Sequence, residues 1–147
     1  MVTLAENRKA RFDFEMLENY EAGIELLGLE VKSIKAGHMV LEGARVLVRG
    51  GEAFLVGATV PPYQVNNSPA DYDPTRVRRL LLTRKQIIEL YDQGEQRGLT
   101  IVPISVYNKH NLIKLKIAVA RGKKKYDKRE DIKKRDIERE IGRTLKR

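Results

Sequence analysis

The sequence predicts a mainly β protein, a small antiparallel barrel of about six strands carrying one main helix and one or two short ones. A basic C-terminal tail follows it. Three observations carry this. Short apolar runs alternate with period two and are separated by turn residues. One longer stretch has helical spacing behind a capping signature. The composition changes abruptly at Gly122, after which the chain is almost continuously charged.

Taken in order, Phe12, Phe14 and Met16 alternate with Asp13 and Glu15, and read as a first strand. Ala22, Ile24 and Leu26 resume period two after an expected break at Asn19 to Glu21. A short helix is expected over Val31 to Ala36, stopped by Gly37. Val46 and Val48 lead into Gly50-Gly51, and Phe54, Val56, Ala58 and Val60 lead out. Tight hairpins need positive φ at the turn, so this reads as a hairpin. Thr83 and Gln86 have capping-box spacing and open the main helix, with Ile87, Leu90 and Tyr91 as its apolar face and Gly98 as its stop. Gly94 inside it would cost about 1 kcal/mol relative to Ala. A last strand pair, Leu99 to Tyr107 and Leu112 to Ala120, is joined across Asn108 to Asn111. Pro103 marks an edge or a bulge. Closure of such strands would remove exposed edges. An OB-like barrel over residues 1–122 is the first candidate, and an open α+β sandwich fits the same pattern.

Composition excludes more than it identifies. The 147 residues contain no cysteine and two histidines, His38 and His110, so neither a disulfide nor a thiolate metal site is expected. Each histidine reads as a turn or surface residue. No phosphate-cradling glycine motif and no nucleophile elbow occurs. No catalytic residue, metal or cofactor is therefore expected, and the chain is not expected to be an enzyme. The N-terminus has no apolar core of signal-peptide length, and no run approaches the roughly eighteen apolar residues of a membrane span. A cytoplasmic monomer is expected, with no membrane partner.

The net charge is +9, and residues 121–147 hold 13 Lys and Arg against 6 Asp and Glu. Such a balance points to a polyanion, and clustered cations bind phosphate by charge and counterion release. Two basic patches stand out: Arg121-Gly122-Lys123-Lys124-Lys125, and Asp73 to Arg79 with its three arginines. Aromatics are scarce, three Phe, six Tyr and no Trp, and the alternation of Phe12, Phe14 and Phe54 suits a core. With few rings to spare for stacking single strands, the pattern favours folded RNA read by shape and backbone. The segment 123–147 has the thin apolar stripe Ile137, Ile141 and Leu145. A helix that narrow is marginal alone, so the tail is expected to fray when free and become helical on a partner.

Glu6-Asn7-Arg8-Lys9-Ala10-Arg11 is followed by Tyr20-Glu21-Ala22-Gly23-Ile24 and by Glu30-Val31-Lys32-Ser33-Ile34-Lys35-Ala36-Gly37. Asp73-Pro74-Thr75-Arg76, Arg79-Leu80-Leu81-Leu82, Ala120-Arg121-Gly122-Lys123-Lys124 and Asp127-Lys128-Arg129 come after. In this order, over nearly the whole chain, these motifs resemble the SsrA-binding protein family (small protein B, SmpB). The resemblance implies an OB-like barrel that binds the tRNA-like domain of tmRNA and delivers it to stalled ribosomes. The C-terminal tail would enter the decoding centre of the small-subunit rRNA and the message channel. It places tmRNA contacts at Asn7, Glu30, Leu81 and Thr83, with basic support from Lys123 and Lys124. It places decoding-site contacts at Tyr126, Asp127, Lys128, Arg129 and Ile137. Thr83 stands where Asn or His is usual, Tyr126 where many members have His, and Ile137 where some have Trp. The residues themselves leave plainer roles open: Glu30 as a helix N-terminal carboxylate, Leu81 as core, and Thr83 as an N-cap. The alternative reading is a generic basic OB-fold RNA-binding or ribosome-associated protein.

Overall fold

The computed structural model describes residues 1–64, 66, 68–123, 133 and 139. The Gly-Gly turn forms as expected: Gly50 and Gly51 have φ of 58° and 77° and join β3 (Arg45–Arg49) to β4 (Glu52–Val56). The second hairpin turns on His110 and Asn111, at φ 51° and 63°, between β6 (Leu99–Lys109) and β7 (Leu112–Gly122). Asn tolerates this left-handed region better than most residues, and two such residues in succession match the right-handed twist of the strands.

Seven strands form one antiparallel sheet in the order β1-β6-β7-β2-β5-β4-β3. Three elements were not legible beforehand. They are β1 (Val2–Glu6), the six-residue helix α1 (Arg8–Asp13) and the four-residue strand β5 (Arg78–Leu81). The alternation at Phe12 to Met16 reads as a strand, but Phe12 lies inside α1, which ends at Asp13, and β2 starts at Phe14 and runs unbroken to Ile24. The expected break at Asn19 to Glu21 does not occur. Instead, Met16 faces Ala120 and Glu18 faces Val119, which leaves Leu17 as an extra residue. One inserted residue moves the same parity to the other face of the sheet. Phe14 and Met16 accordingly join a small cluster with Ala10, Val102 and Ala120, while Tyr20, Ala22 and Ile24 enter the main core. Pro103 borders a second bulge, in β6, where the register against β7 shifts between Pro103 and Ser105. Of edge or bulge, it is the bulge, because β6 is paired on both sides.

The main core gathers Ile34, Leu41, Leu55, Val60, Leu80, Leu90, Leu115 and Ile117, all nearly or wholly buried. In β7 the expected face of Leu115, Ile117 and Val119 points inward. In β4 the phase is opposite to expectation: Ala53 and Leu55 are buried, and Phe54 is only half-buried on the other face. Gly57, at φ 85°, then resets the phase so that Ala58 and Val60 are buried. Phe12 and Phe14 are likewise only half-buried. Val46 and Val48 of β3, Ile101 of β6 and Leu90 of the main helix line one cavity, so the curled sheet brings its β3 edge opposite β6.

The short helix α2 spans Gly28–Lys35, starting three residues before the expected Val31. The main helix α3 spans Arg84–Gly94, with Thr83 as N-cap. Gly94 closes α3 instead of interrupting it, and Gly98 adopts φ 82° beyond it. Leu90 is fully buried beneath α3, but Tyr91 is half exposed. No helix among the described residues is long and apolar enough to cross a membrane. The expected tail helix lies largely outside the described residues; Lys133 and Arg139 are helical and exposed.

Candidate nucleic-acid interface

Glu30 is the third residue of α2, and one carboxylate oxygen accepts from the Leu27 backbone N–H at 2.8 Å, closing the helix start. The same side chain, 0 % exposed, accepts from Arg78 Nε at 2.8 Å, from Arg76 Nε at 3.0 Å and from the Tyr72 hydroxyl at 3.1 Å. Arg76 Nη2 also donates to it. Arg78 is 0 % exposed, and its remaining N–H groups donate to the carbonyls of Ala58, Arg76 and Pro74 and to the Tyr72 hydroxyl. Burial pushes the Glu30 carboxyl up, but the donors from Arg76, Leu27 and Arg78 outweigh it and hold the group below the ordinary carboxylate range.

The Asp73–Arg79 segment is therefore not the free basic patch its composition suggests. Arg76 and Arg78 are spent on Glu30, and Arg79 pairs with Glu25 at 2.9 Å and Glu52 at 3.2 Å. The reason is strand parity. Arg78 and Leu80 face the core from β5, and a guanidinium there needs an anion and acceptors for all its N–H groups.

Asn7 is equally enclosed, at 1 % exposure. Its Oδ1 accepts from Ala10 N at 3.1 Å, capping α1, and its Nδ2 donates to the carbonyls of Pro103 at 2.9 Å and Leu41 at 3.3 Å. At the far end of α1, the Asp13 backbone carbonyl accepts from the Lys123 backbone N–H at 2.8 Å, which fixes where the chain leaves β7. With every side-chain polar atom occupied, Asn7 and Glu30 each pin the segments around them.

Leu81 and Thr83 are presented outward. In the Leu80-Leu81-Leu82 run only Leu80 is fully buried, and Leu81 is 47 % exposed, which overturns the core alternative for it. Leu81 lies over Gly23 of β2, where an added Cβ would stand 3.1 Å from the Leu81 Cβ. Thr83 Oγ1 accepts from Gln86 N at 3.2 Å, while Thr83 N donates to Gln86 Oε1 at 3.1 Å, the reciprocal box anticipated from spacing. β5 thus links Glu30, Leu81 and Thr83, and α1 links Asn7 and Lys123. Lys124, Tyr126, Asp127, Lys128, Arg129 and Ile137 lie outside the described residues. Tyr72 completes the Glu30 cluster without any sequence signal, and Arg78 reads from sequence only as part of the basic Asp73–Arg79 patch. The one available signal was an arginine in phase with Leu80.

No group of His, Cys, Asp or Glu among the described residues is placed to hold a metal ion. Fold and surface together define an OB-like β-barrel with enclosed polar clusters at Glu30 and Asn7 and with candidate contacts at the β5–α3 junction and beside α1. The SmpB protein family model matches residues 4–147. An SsrA-binding protein of Gloeothece citriformis is 49 % identical over 98 % of this chain and 93 % of its own length. One from Synechococcus sp. (strain JA-3-3Ab) is 51 % identical over 98 % and 94 %, and one from Thermosipho africanus 47 % over 100 % and 99 %. Among solved structures, a chain described as "tmRNA-SmpB: a journey to the center of the bacterial ribosome" superposes with TM-score 0.69 at 43 % identity, over 82 % of this chain and 85 % of that one. The chain belongs to the SmpB family.

Proposed function

We propose that this protein is the tmRNA-binding adaptor of trans-translation, a non-enzymatic cytoplasmic protein. It binds the tRNA-like domain of tmRNA and accompanies it to stalled ribosomes. The observation that carries this is a family match running from residue 4 to residue 147, which takes in the barrel and the basic segment alike. The barrel, residues 1–122, grips the folded RNA. Leu81 and Thr83 touch it, Lys123 and Lys124 neutralise phosphates, and Glu30 and Asn7 hold the contacting segments in place. Residues 123–147 form the part that enters the decoding centre and the message channel, through Tyr126, Asp127, Lys128, Arg129 and Ile137. The concentration of cations there supports this division.

The test compares affinity for the tRNA-like domain with affinity for an unrelated hairpin at matched salt. A clear preference for the former is expected, and equal affinity would defeat the reading in favour of a generic RNA binder. In a bacterium lacking its own SsrA-binding protein, the full chain should restore peptide tagging. A chain cut after Tyr126 should keep RNA binding and lose tagging, and full tagging by the truncated chain would refute the assigned division.

A further inference from the structure

α2 ends in a Schellman motif. Gly37 adopts φ 83°, its N–H bonds to the Ile34 carbonyl at 2.9 Å, and the His38 N–H bonds to the Ser33 carbonyl at 3.1 Å. That turn folds His38 back over the helix end. Ser33, 0 % exposed, also donates its hydroxyl to the Pro61 carbonyl at 2.6 Å. Ser33 therefore ties the end of its own helix to the distant Pro61 segment, and each carries an aromatic ring just beyond that tie. The rings meet: His38 and Tyr63 are stacked at 6.5 Å between centroids with 25° between planes. The second segment is anchored again by Tyr72, whose hydroxyl donates to the Val60 carbonyl at 2.7 Å and to Glu30.

The stack is not core. His38 is exposed and Tyr63 is 47 % exposed. Rings that pack only for stability are normally covered, because their area is what burial rewards. Lys32 and Lys35 stand in the last turn of α2, immediately before His38, and both are exposed. An exposed ring pair directly following a helix turn with two exposed lysines has the composition of a base-stacking platform: a π-face for a base and charge for its phosphate.

We infer that His38 and Tyr63 form a stacking site for one unpaired base of the bound RNA, with Lys32 and Lys35 holding the flanking phosphates. This rests on the proposed RNA-binding function and adds a contact that reads no sequence, since every base has a π-face. Ser33 is a positioning residue for it, acting through the two segments it joins.

The experiment measures affinity of the full chain for two RNAs, the tRNA-like domain of tmRNA and an unrelated hairpin with unpaired loop purines, over a range of salt. Unfolding curves check that each variant is folded. Tyr63→Ala should weaken binding at least about fivefold with an unchanged salt slope, as expected when one stacked base is lost. Tyr63→Phe should bind like the parent, and Lys35→Ala should shallow the slope. If Tyr63→Ala binds both RNAs as tightly as the parent, the platform is refuted while any preference for the tRNA-like domain stands. A loss equally large in Tyr63→Phe would also refute it, by showing that the hydroxyl matters and not the ring. Equal parental affinity for the two RNAs, with the loss in Tyr63→Ala intact, would uphold the platform and overturn only the proposed tmRNA specificity.

Discussion

The Glu30 cluster and the Asn7 junction solve one problem with different chemistry. Each ties together segments far apart in the chain from inside the barrel. Glu30 joins α2 to Tyr72, Arg76 and the start of β5, and Asn7 joins α1 to the carbonyls of Leu41 and Pro103. The first uses charge and the second a neutral amide. A buried carboxylate between two guanidinium groups is costly to desolvate and severe to break, so it specifies one arrangement. An amide donates and accepts at once with no charge to compensate, so it closes a junction with less at risk.

That contrast can be broken at its strongest point first. Arg78→Ala should remove about 3–5 kcal/mol of stability, because Glu30 stays buried with one partner fewer. Replacing Glu30 and Arg78 together by apolar residues should cost less than that single change, and urea unfolding of both variants measures it. Asn7→Ala should cost about 2–3 kcal/mol, from the lost cap and from the Pro103 carbonyl left without its donor. The same unfolding curves read it.

Acid sharpens the difference between charge and amide. The Glu30 carboxyl lies below its unfolded value, so its stabilisation is complete above the unfolded carboxylate range and disappears as pH falls through the folded value. Glu30→Gln should therefore flatten the acid side of the stability–pH profile, while Asn7→Ala should shift the whole profile and leave its shape. Thr83→Ala, at an exposed cap, should cost about 1 kcal/mol. Leu81→Ala should change stability least, within about 0.5 kcal/mol, since the side chain already faces solvent. If Leu81 touches RNA, that variant should still bind the tRNA-like domain more weakly.

Local signals were legible where the cause is local. The Gly50-Gly51 turn, the Thr83–Gln86 box and the Gly37 stop each depend on backbone geometry within a few residues, and each formed in place. Strand phase was lost wherever one residue was inserted. Leu17 and the bulge after Pro103 move a run from one face to the other without altering its alternation, and Gly57 does the same beyond β4. Charge misled in the opposite sense. Arg76, Arg78 and Arg79 read as one solvated patch, yet their partners, Glu30, Glu25 and Glu52, come from other elements.

The sequence by itself determined the barrel's turns, its main helix, its cation-rich C-terminal segment and, through ordered motifs, its family. Those properties rest on backbone preference, composition and residue identity, which are present before the chain folds. Only the tertiary structure decided which polar residues are enclosed and which side chains face outward. Enclosure depends on sheet register and on partners brought from more than forty residues away, as Arg76 and Arg78 are brought to Glu30. It left Leu81, and the His38–Tyr63 stack, at the surface.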